Sequence, residues 1–171
     1  YLMENIALTL TQASNISVIV SIAPIFTGIL AHFFLEGEKM KKSIVLGFVC
    51  AMAGICLITF QKGETVELNP LGDFLGVAAA AIWGVYSICS RKIAGFGYDT
   101  IITTRRTFFY GILFMLCALP FMDFHLSLSA LLKPVNLGNI IYLGVGASAI
   151  CFVTWNYAVK SLGATRASVY I

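Results

Sequence analysis

The stretch "MENIALTLTQASNISV", Met3 to Val18, is written a second time, loosely, as "TWNYAVKSLGATRASV", Thr154 to Val169. Aligned without a gap at an offset of 151 positions, Asn5 meets Asn156, Ala7 meets Ala158, Ala13 meets Ala164, Ser17 meets Ser168 and Val18 meets Val169. Asparagine is costly in an apolar setting unless it is hydrogen-bonded. Its return in the same slot raises two questions: what kind of chain carries the repeat, and how the two copies are oriented.

The first question is answered by composition. Of 171 residues, 59% are hydrophobic and only 11% charged, with a mean hydropathy of +0.91, more apolar surface than a soluble domain of this length could bury. The charges gather in short clusters between long uncharged runs, as connectors alternate with spanning helices. The expected fold is all-α, a polytopic transmembrane helix bundle. A net charge of +3 gives no reason to expect nucleic acid. The five cysteines, Cys50, Cys56, Cys89, Cys117 and Cys151, all fall in apolar runs without a C-x-x-C, and read as small packing residues, neither disulfides nor metal ligands. No catalytic set recurs at a useful spacing. Neither an enzyme, nor a metal, nor a cofactor is therefore expected. "GVGASA" satisfies a dinucleotide-binding glycine pattern, but it lies inside an uncharged run with no strand before it.

Seven apolar segments can be marked: Tyr1 to Thr11, Ile16 to Leu35, Ser43 to Gln61, a fourth from "NPLGD" to Ser90, Ile101 to Met122, Val135 to Val159, and a stub from Ala167. In the fourth, Asn69 is the expected cap and Pro70 the first helical residue. The connector "DFHLSLSALLKP" leaves room for a short interfacial helix. The first and last segments are too short to cross a bilayer, which takes about 20 residues, so the natural protein is expected to continue at both ends.

Lysine and arginine settle orientation, because they accumulate on the cytoplasmic side. Lys39, Lys41, Lys42, Arg91, Lys92, Arg105, Arg106, Lys160 and Arg166 fall on one side, nine in all, against Lys62 and Lys133 on the other, which also carries Glu64, Glu67, Asp73 and Asp123. Five spans separate the copies of the repeat. Five is odd, so the copies cross in opposite directions, forming an inverted-topology repeat around a shared central site. Gly72, Gly76, Ala80 and Gly84, and likewise Ser43, Gly47 and Ala51, recur every four residues and form smooth stripes for close helix contact.

A few residues could carry chemistry. Glu4 lies eight residues before Gln12, roughly 12 Å below the membrane surface. An acid at that depth serves a substrate or a proton, or reaches a wet vestibule. Asn5 and Asn156 either bond between helices or touch substrate, and both readings put them inside the bundle. Pro24 breaks its span and frees the carbonyl of Val20, with Ser21 and Thr27 near enough to help satisfy it. Trp83 and Tyr86, one turn apart, and Trp155, at the position matching Glu4, are belt residues or cavity walls. Arg105 and Arg106 snorkel to the inner surface, unless one of them reaches inward to an anionic substrate group. His32 reads as interfacial.

"SNISVIVSIAPIFTGILAHFFLEGEKM", "NPLGDFLGVAAAAIWGVYSICSRKI", "TRRTFFYGILF" and "FVTWNYAVKSLGATRASVYI", in that order, resemble the EamA-type branch of the drug/metabolite transporter superfamily over essentially the whole chain. The resemblance implies a ten-helix protein of two inverted five-helix halves. This chain would supply helices three to eight and the start of nine, with residues 1–66 in the first half and 67–171 in the second. It also implies secondary transport, commonly export, of amino acids and other small metabolites. Glu4, Asn5, Ser17 and Pro24 would then face Trp83, Tyr86, Trp155, Asn156 and Ser168, with Arg106 as the inward arginine. Gly37 and Glu38 match the family's turn after helix four and read as structural. The expected partners are a small metabolite and the bilayer of the inner cell membrane. A proton as coupling ion and a homodimer stay open, and a scaffold or sensor on the same helices is the alternative.

Overall fold

The computed structural model describes residues 2–38, 42–61, 69–121 and 128–170. Lys39, Lys41, Lys62, Glu64, Glu67 and Asp123, which entered the charge count, lie outside the described residues. What is described is helical: α1 (Leu2–Leu10), α2 (Ala13–Val20), α3 (Ala23–Phe34), α4 (Lys42–Gln61), α5 (Pro70–Gly95), α6 (Thr100–Ala118), α7 (Leu128–Leu131), α8 (Pro134–Ile141), α9 (Cys151–Leu162) and α10 (Ala164–Ser168). Four stretches among the described residues are long and apolar enough to cross a membrane: Ala13–Phe34, Pro70–Gly95, Thr100–Ala118 and Pro134–Leu162.

The pattern of burial inverts that of a soluble protein. The largest side chains that are fully buried are Val159, Thr27, Ser87 and Ser168, alongside Ala7, Ala23, Ala31, Ala80 and Ala164, whereas Phe33, Phe114 and Val135 are 77%, 72% and 73% exposed. Lipid tails are as apolar as leucine, so the bilayer does not drive large side chains inward, and helices associate through small residues that let backbones approach. Three buried hydroxyls are satisfied locally, each donating to the carbonyl four residues back: Thr27 to Ala23 at 3.0 Å, Ser87 to Trp83 at 3.0 Å and Thr104 to Thr100 at 2.7 Å.

The chain forms two compact units, residues 1–93 with 159–171, and residues 94–158. In the first, α5 is the spine. The expected stripe on it is buried throughout, Gly72, Gly76, Ala80 and Gly84 together with Ser87 and Ile88. Gly72 abuts Leu10 and Thr11, Gly76 abuts Ile16 and Ile19, and Gly84 abuts the backbone of Phe26 and Thr27. The α1–α2–α3 path therefore runs along α5. The second expected stripe behaves differently. Gly47 has nothing within 4 Å of where a Cβ would stand, and Gly47 and Ala51 are exposed.

The second span is two helices, α2 and α3, joined at Ser21 and Ile22, with Pro24 in the first turn of α3. The break is where the proline requires it, but its satisfaction differs from expectation. Ser21 donates its hydroxyl to Ser17 and Thr27 donates to Ala23, so neither hydroxyl turns to Val20. The fourth segment, α5, also outruns its expected end at Ser90, reaching Gly95, so Arg91 and Lys92 belong to its last turns.

In the second unit, Asp99 caps α6 by accepting from the amides of Ile101 and Ile102 at 2.9 and 3.0 Å, and a 3₁₀ turn over Leu119–Phe121 ends it at Pro120. The short helix foreseen in the connector is α7. The helix that carries the long uncharged run is continuous from Pro134 to Leu162, but Tyr142–Ile150 is wound as a π-helix, so "GVGASA" lies in helix. Cys50, Cys89, Cys117 and Cys151 are free and exposed. On this chain they do not pack as expected.

Candidate functional site

The two copies of the repeat fold alike. α1 ends at Leu10 and α2 begins at Ala13; α9 ends at Leu162 and α10 begins at Ala164, the position matched to Ala13. The break falls on the matched pair Gln12 and Gly163, with φ −66°, ψ 144° and φ 90°, ψ 159°. Each break is tied to one end of α5. At its N-terminus, Asn69 donates from Nδ2 to the Leu10 carbonyl at 2.8 Å, while its Oδ1 accepts from the amides of Leu71 and Gly72 at 3.2 Å. Near its C-terminus, Arg91 donates from Nη1 to the carbonyls of Lys160 and Val159 at 2.6 and 3.3 Å. Asn69 and Arg91 are 22 residues apart, about 33 Å along a helix, close to the thickness of a bilayer's hydrocarbon core. The C-terminal ends of α1 and α9 are thus held at opposite ends of α5, as crossing in opposite directions requires.

The Arg91 end is a knot of charge. Glu38 accepts from Arg91 Nε at 2.9 Å through one oxygen and from the amide of Thr165, in the first turn of α10, at 2.9 Å through the other. The acid thus meets the positive end of one helix while the arginine covers the negative end of another. Gly163 makes room: a Cβ there would stand 2.6 Å from Glu38 Oε1. α10 then lays Ala164, Thr165, Ala167 and Ser168 inward, packing on α3. The reading of Glu38 as structural fits this geometry. Arg91 and Gly163 had been given no such part, although a glycine just past an apolar helix marks a chain reversal.

A cleft of about 400 Å³ lies between α1 and α2, lined by Glu4, Ser17 and Ser21 among Leu8, Ala13, Ile16 and Val20. It brings together two of the residues singled out from sequence, Glu4 and Ser17, and ends at the helix break that Pro24 imposes. Of the others in the same unit, Asn5 is exposed and Pro24 half-buried. Trp83 and Tyr86 meet on α5 as a tilted pair with centroids 5.5 Å apart and are not among the residues lining the cleft. Ser168 is buried, donating to the Thr165 carbonyl at 2.9 Å. In the second unit, Arg106 is exposed and Trp155 half-buried. Asn156 is buried and donates to Thr104 Oγ1 at 2.9 Å, joining α9 to α6 beside the edge-to-face pair of Phe108 and Phe152. The matched asparagines therefore differ: one clamps two helices and the other is exposed. Among the described residues, no group of three His, Cys, Asp or Glu could hold a metal ion.

Comparison with known proteins adds four findings. The family model described as EamA-like transporter family matches residues 1–60 and 70–171. A probable terminal-alkyne amino-acid exporter of Streptantibioticus cattleyicolor is 29% identical over 161 residues, 93% of this chain and 52% of the relative. The aromatic amino acid exporter YddG of Ancylobacter novellus is 28% identical over 138 residues, 77% of this chain and 45% of the relative. The chain thus spans about half the length of these curated relatives. A solved crystal structure superposes with a TM-score of 0.74 at 22% identity, covering 98% of this chain and 59% of that one, a likeness of fold.

Proposed function

We propose that this chain, which belongs to the EamA-like transporter family, forms the middle of a secondary transporter that exports a small polar or amphipathic metabolite across the inner cell membrane by alternating access. The observation that carries the reading is the helix–break–helix unit repeated at opposite ends of α5, each copy tied down by one side chain of that helix or its cap. Two such joints around one spine give a carrier two ends that can open in turn. The relatives named as exporters of amino acids support that substrate class. The interruption of the family match between residues 60 and 70 supports a division into halves near residues 66 and 67.

In this reading the α1–α2 cleft is part of the substrate's path, with Glu4 and Ser17 as its polar contacts and Glu4 as the group for any proton coupling. The protein is a carrier and not an enzyme. The test is counterflow of radiolabelled phenylalanine and threonine in proteoliposomes holding the full-length protein. Saturable flux that falls with Glu4→Gln supports the proposal. A folded protein with no saturable flux for any metabolite in a broad amino-acid panel would point instead to a scaffold or sensor.

A further inference from the structure

The chemistry of the cleft narrows the ligand further, granted the preceding reading of the cleft as the substrate's place. Among the described residues that line it, Glu4 is the one ionisable side chain. Its two hydroxyls have already spent their protons: Ser17 Oγ donates to the Ala13 carbonyl at 2.8 Å, and Ser21 Oγ to the Ser17 carbonyl at 2.7 Å. A hydroxyl has one proton and two lone pairs, so each of these oxygens keeps only the capacity to accept. Val20, at the same end of the cleft, has a carbonyl whose helical donor would be residue 24, a proline without an N–H. The next amide, that of Ile25, turns instead to Ile22 at 2.9 Å. Among the described lining residues the polar side chains therefore all accept, and the rest are aliphatic.

We propose that this cleft binds the protonated amine of a small ligand whose remaining body is apolar. Glu4 pairs with the ammonium, Ser17 and Ser21 accept its other N–H groups, and Leu8, Ile16 and Val20 cover the body. A ligand carboxylate in the same place meets like charge at Glu4 with no side-chain donor to offset it. A neutral hydroxyl can give its single proton to Glu4, but it carries no opposite charge and has no further proton for the two serine oxygens. The volume of about 400 Å³ falls at the small end of ordinary ligand sites and suits one ring on a short chain.

The experiment is equilibrium binding to purified full-length protein near neutral pH, with 2-phenylethylamine, 2-phenylethanol and 3-phenylpropionate as matched probes. The amine should bind roughly tenfold more tightly than either of the others. Glu4→Gln should bring the amine down to about the alcohol's level, while residual binding of the alcohol reports that the variant is folded. Should that variant lose the alcohol as well, Glu4→Asp keeps the charge one methylene shorter and should still favour the amine. Equal binding of amine and alcohol by the wild type, undiminished amine binding by Glu4→Gln, or no preference in Glu4→Asp overturns the inference. Saturable amino-acid flux alongside any of those results would leave the transport reading intact, whereas loss of all flux would sink that reading and not the amine preference.

Discussion

Glu38 and Arg91 are 53 residues apart in the chain, yet their side chains meet at 2.9 Å, the carboxylate 14% and the guanidinium 35% exposed. Through them the end of α3, the last turns of α5 and the α9–α10 joint are fastened at one place. Glu38→Ala should lower stability by about 1.5–3 kcal/mol, the range for hydrogen bonds to charged groups, towards the lower figure because Arg91 is partly wet. Arg91→Lys should do almost as much harm, since one ammonium cannot span a carboxylate and two carbonyls as a guanidinium fork does. Thermal unfolding of the full-length protein in detergent measures both, and a Glu38→Ala protein that melts with the wild type would deny the knot any energetic role.

Gly163 and Gly37 share a positive φ, 90° and 89°, but only Gly163 is crowded, its notional Cβ 2.6 Å from Glu38 Oε1 while Gly37 has open space. Alanine at either site carries backbone strain of about 1–3 kcal/mol. Gly163→Ala should therefore cost clearly more than Gly37→Ala, and the excess should shrink in a Glu38→Ala background, as a double-mutant cycle reads contact between neighbours. Equal costs in both backgrounds would mean that backbone strain is the whole effect.

Along α5 the buried glycines should not tolerate alanine equally. At Gly84 the added carbon would stand 3.1 Å from the Thr27 nitrogen and 3.2 Å from the Phe26 carbonyl carbon, both backbone atoms, whereas at Gly76 it would meet Ile16 Cδ1 and Ile19 Cγ2 at 3.1 Å, the ends of flexible side chains. Helix propensity favours alanine by about 1 kcal/mol. The expected order is a net loss for Gly84→Ala and a near-neutral Gly76→Ala; Gly111→Ala, on α6 and in open space, should be neutral or stabilising. A melting series in which Gly84→Ala gains stability would show that α3 can retreat from α5.

Asn69 does two things at once, capping α5 through Oδ1 and holding the Leu10 carbonyl through Nδ2. Asn69→Ala should cost about 1–2 kcal/mol, as lost N-caps do. Asn69→Asp keeps the cap but sets an oxygen against the carbonyl, so it should fall between alanine and wild type. If aspartate proves as stable as asparagine, the tie to α1 contributes nothing.

Orientation can be read directly. Thr9 and Leu162 are exposed near the ends of α1 and α9, so single cysteines placed there on a cysteine-free background should react with an impermeant maleimide from opposite sides of the membrane. Labelling from the same side would contradict an inverted repeat.

Much of this protein was legible one residue at a time. Hydropathy and charge spacing gave helices that cross a bilayer, Asn69 and Pro70 marked the start of α5, and the four-residue recurrence of Gly72, Gly76, Ala80 and Gly84 named the face that packs. These are local properties: the bilayer, the backbone and the 3.6-residue turn act on each short stretch without reference to the rest of the chain. The repeat was equally visible, because matched residues such as Gln12 and Gly163 need only be aligned.

The tertiary structure decided which residues meet. Nothing in "GE" or in "SRK" says that Glu38 chooses Arg91 over any other base, or that both choose the joint at Gly163. Nor do identical letters say that Asn156 reaches Thr104 while Asn5 is exposed. The π-wound stretch from Tyr142 to Ile150 was equally silent, since its composition suits an ordinary helix. A polar side chain's partner is fixed by distance and direction in space, and those are set only after the apolar surfaces have found one another.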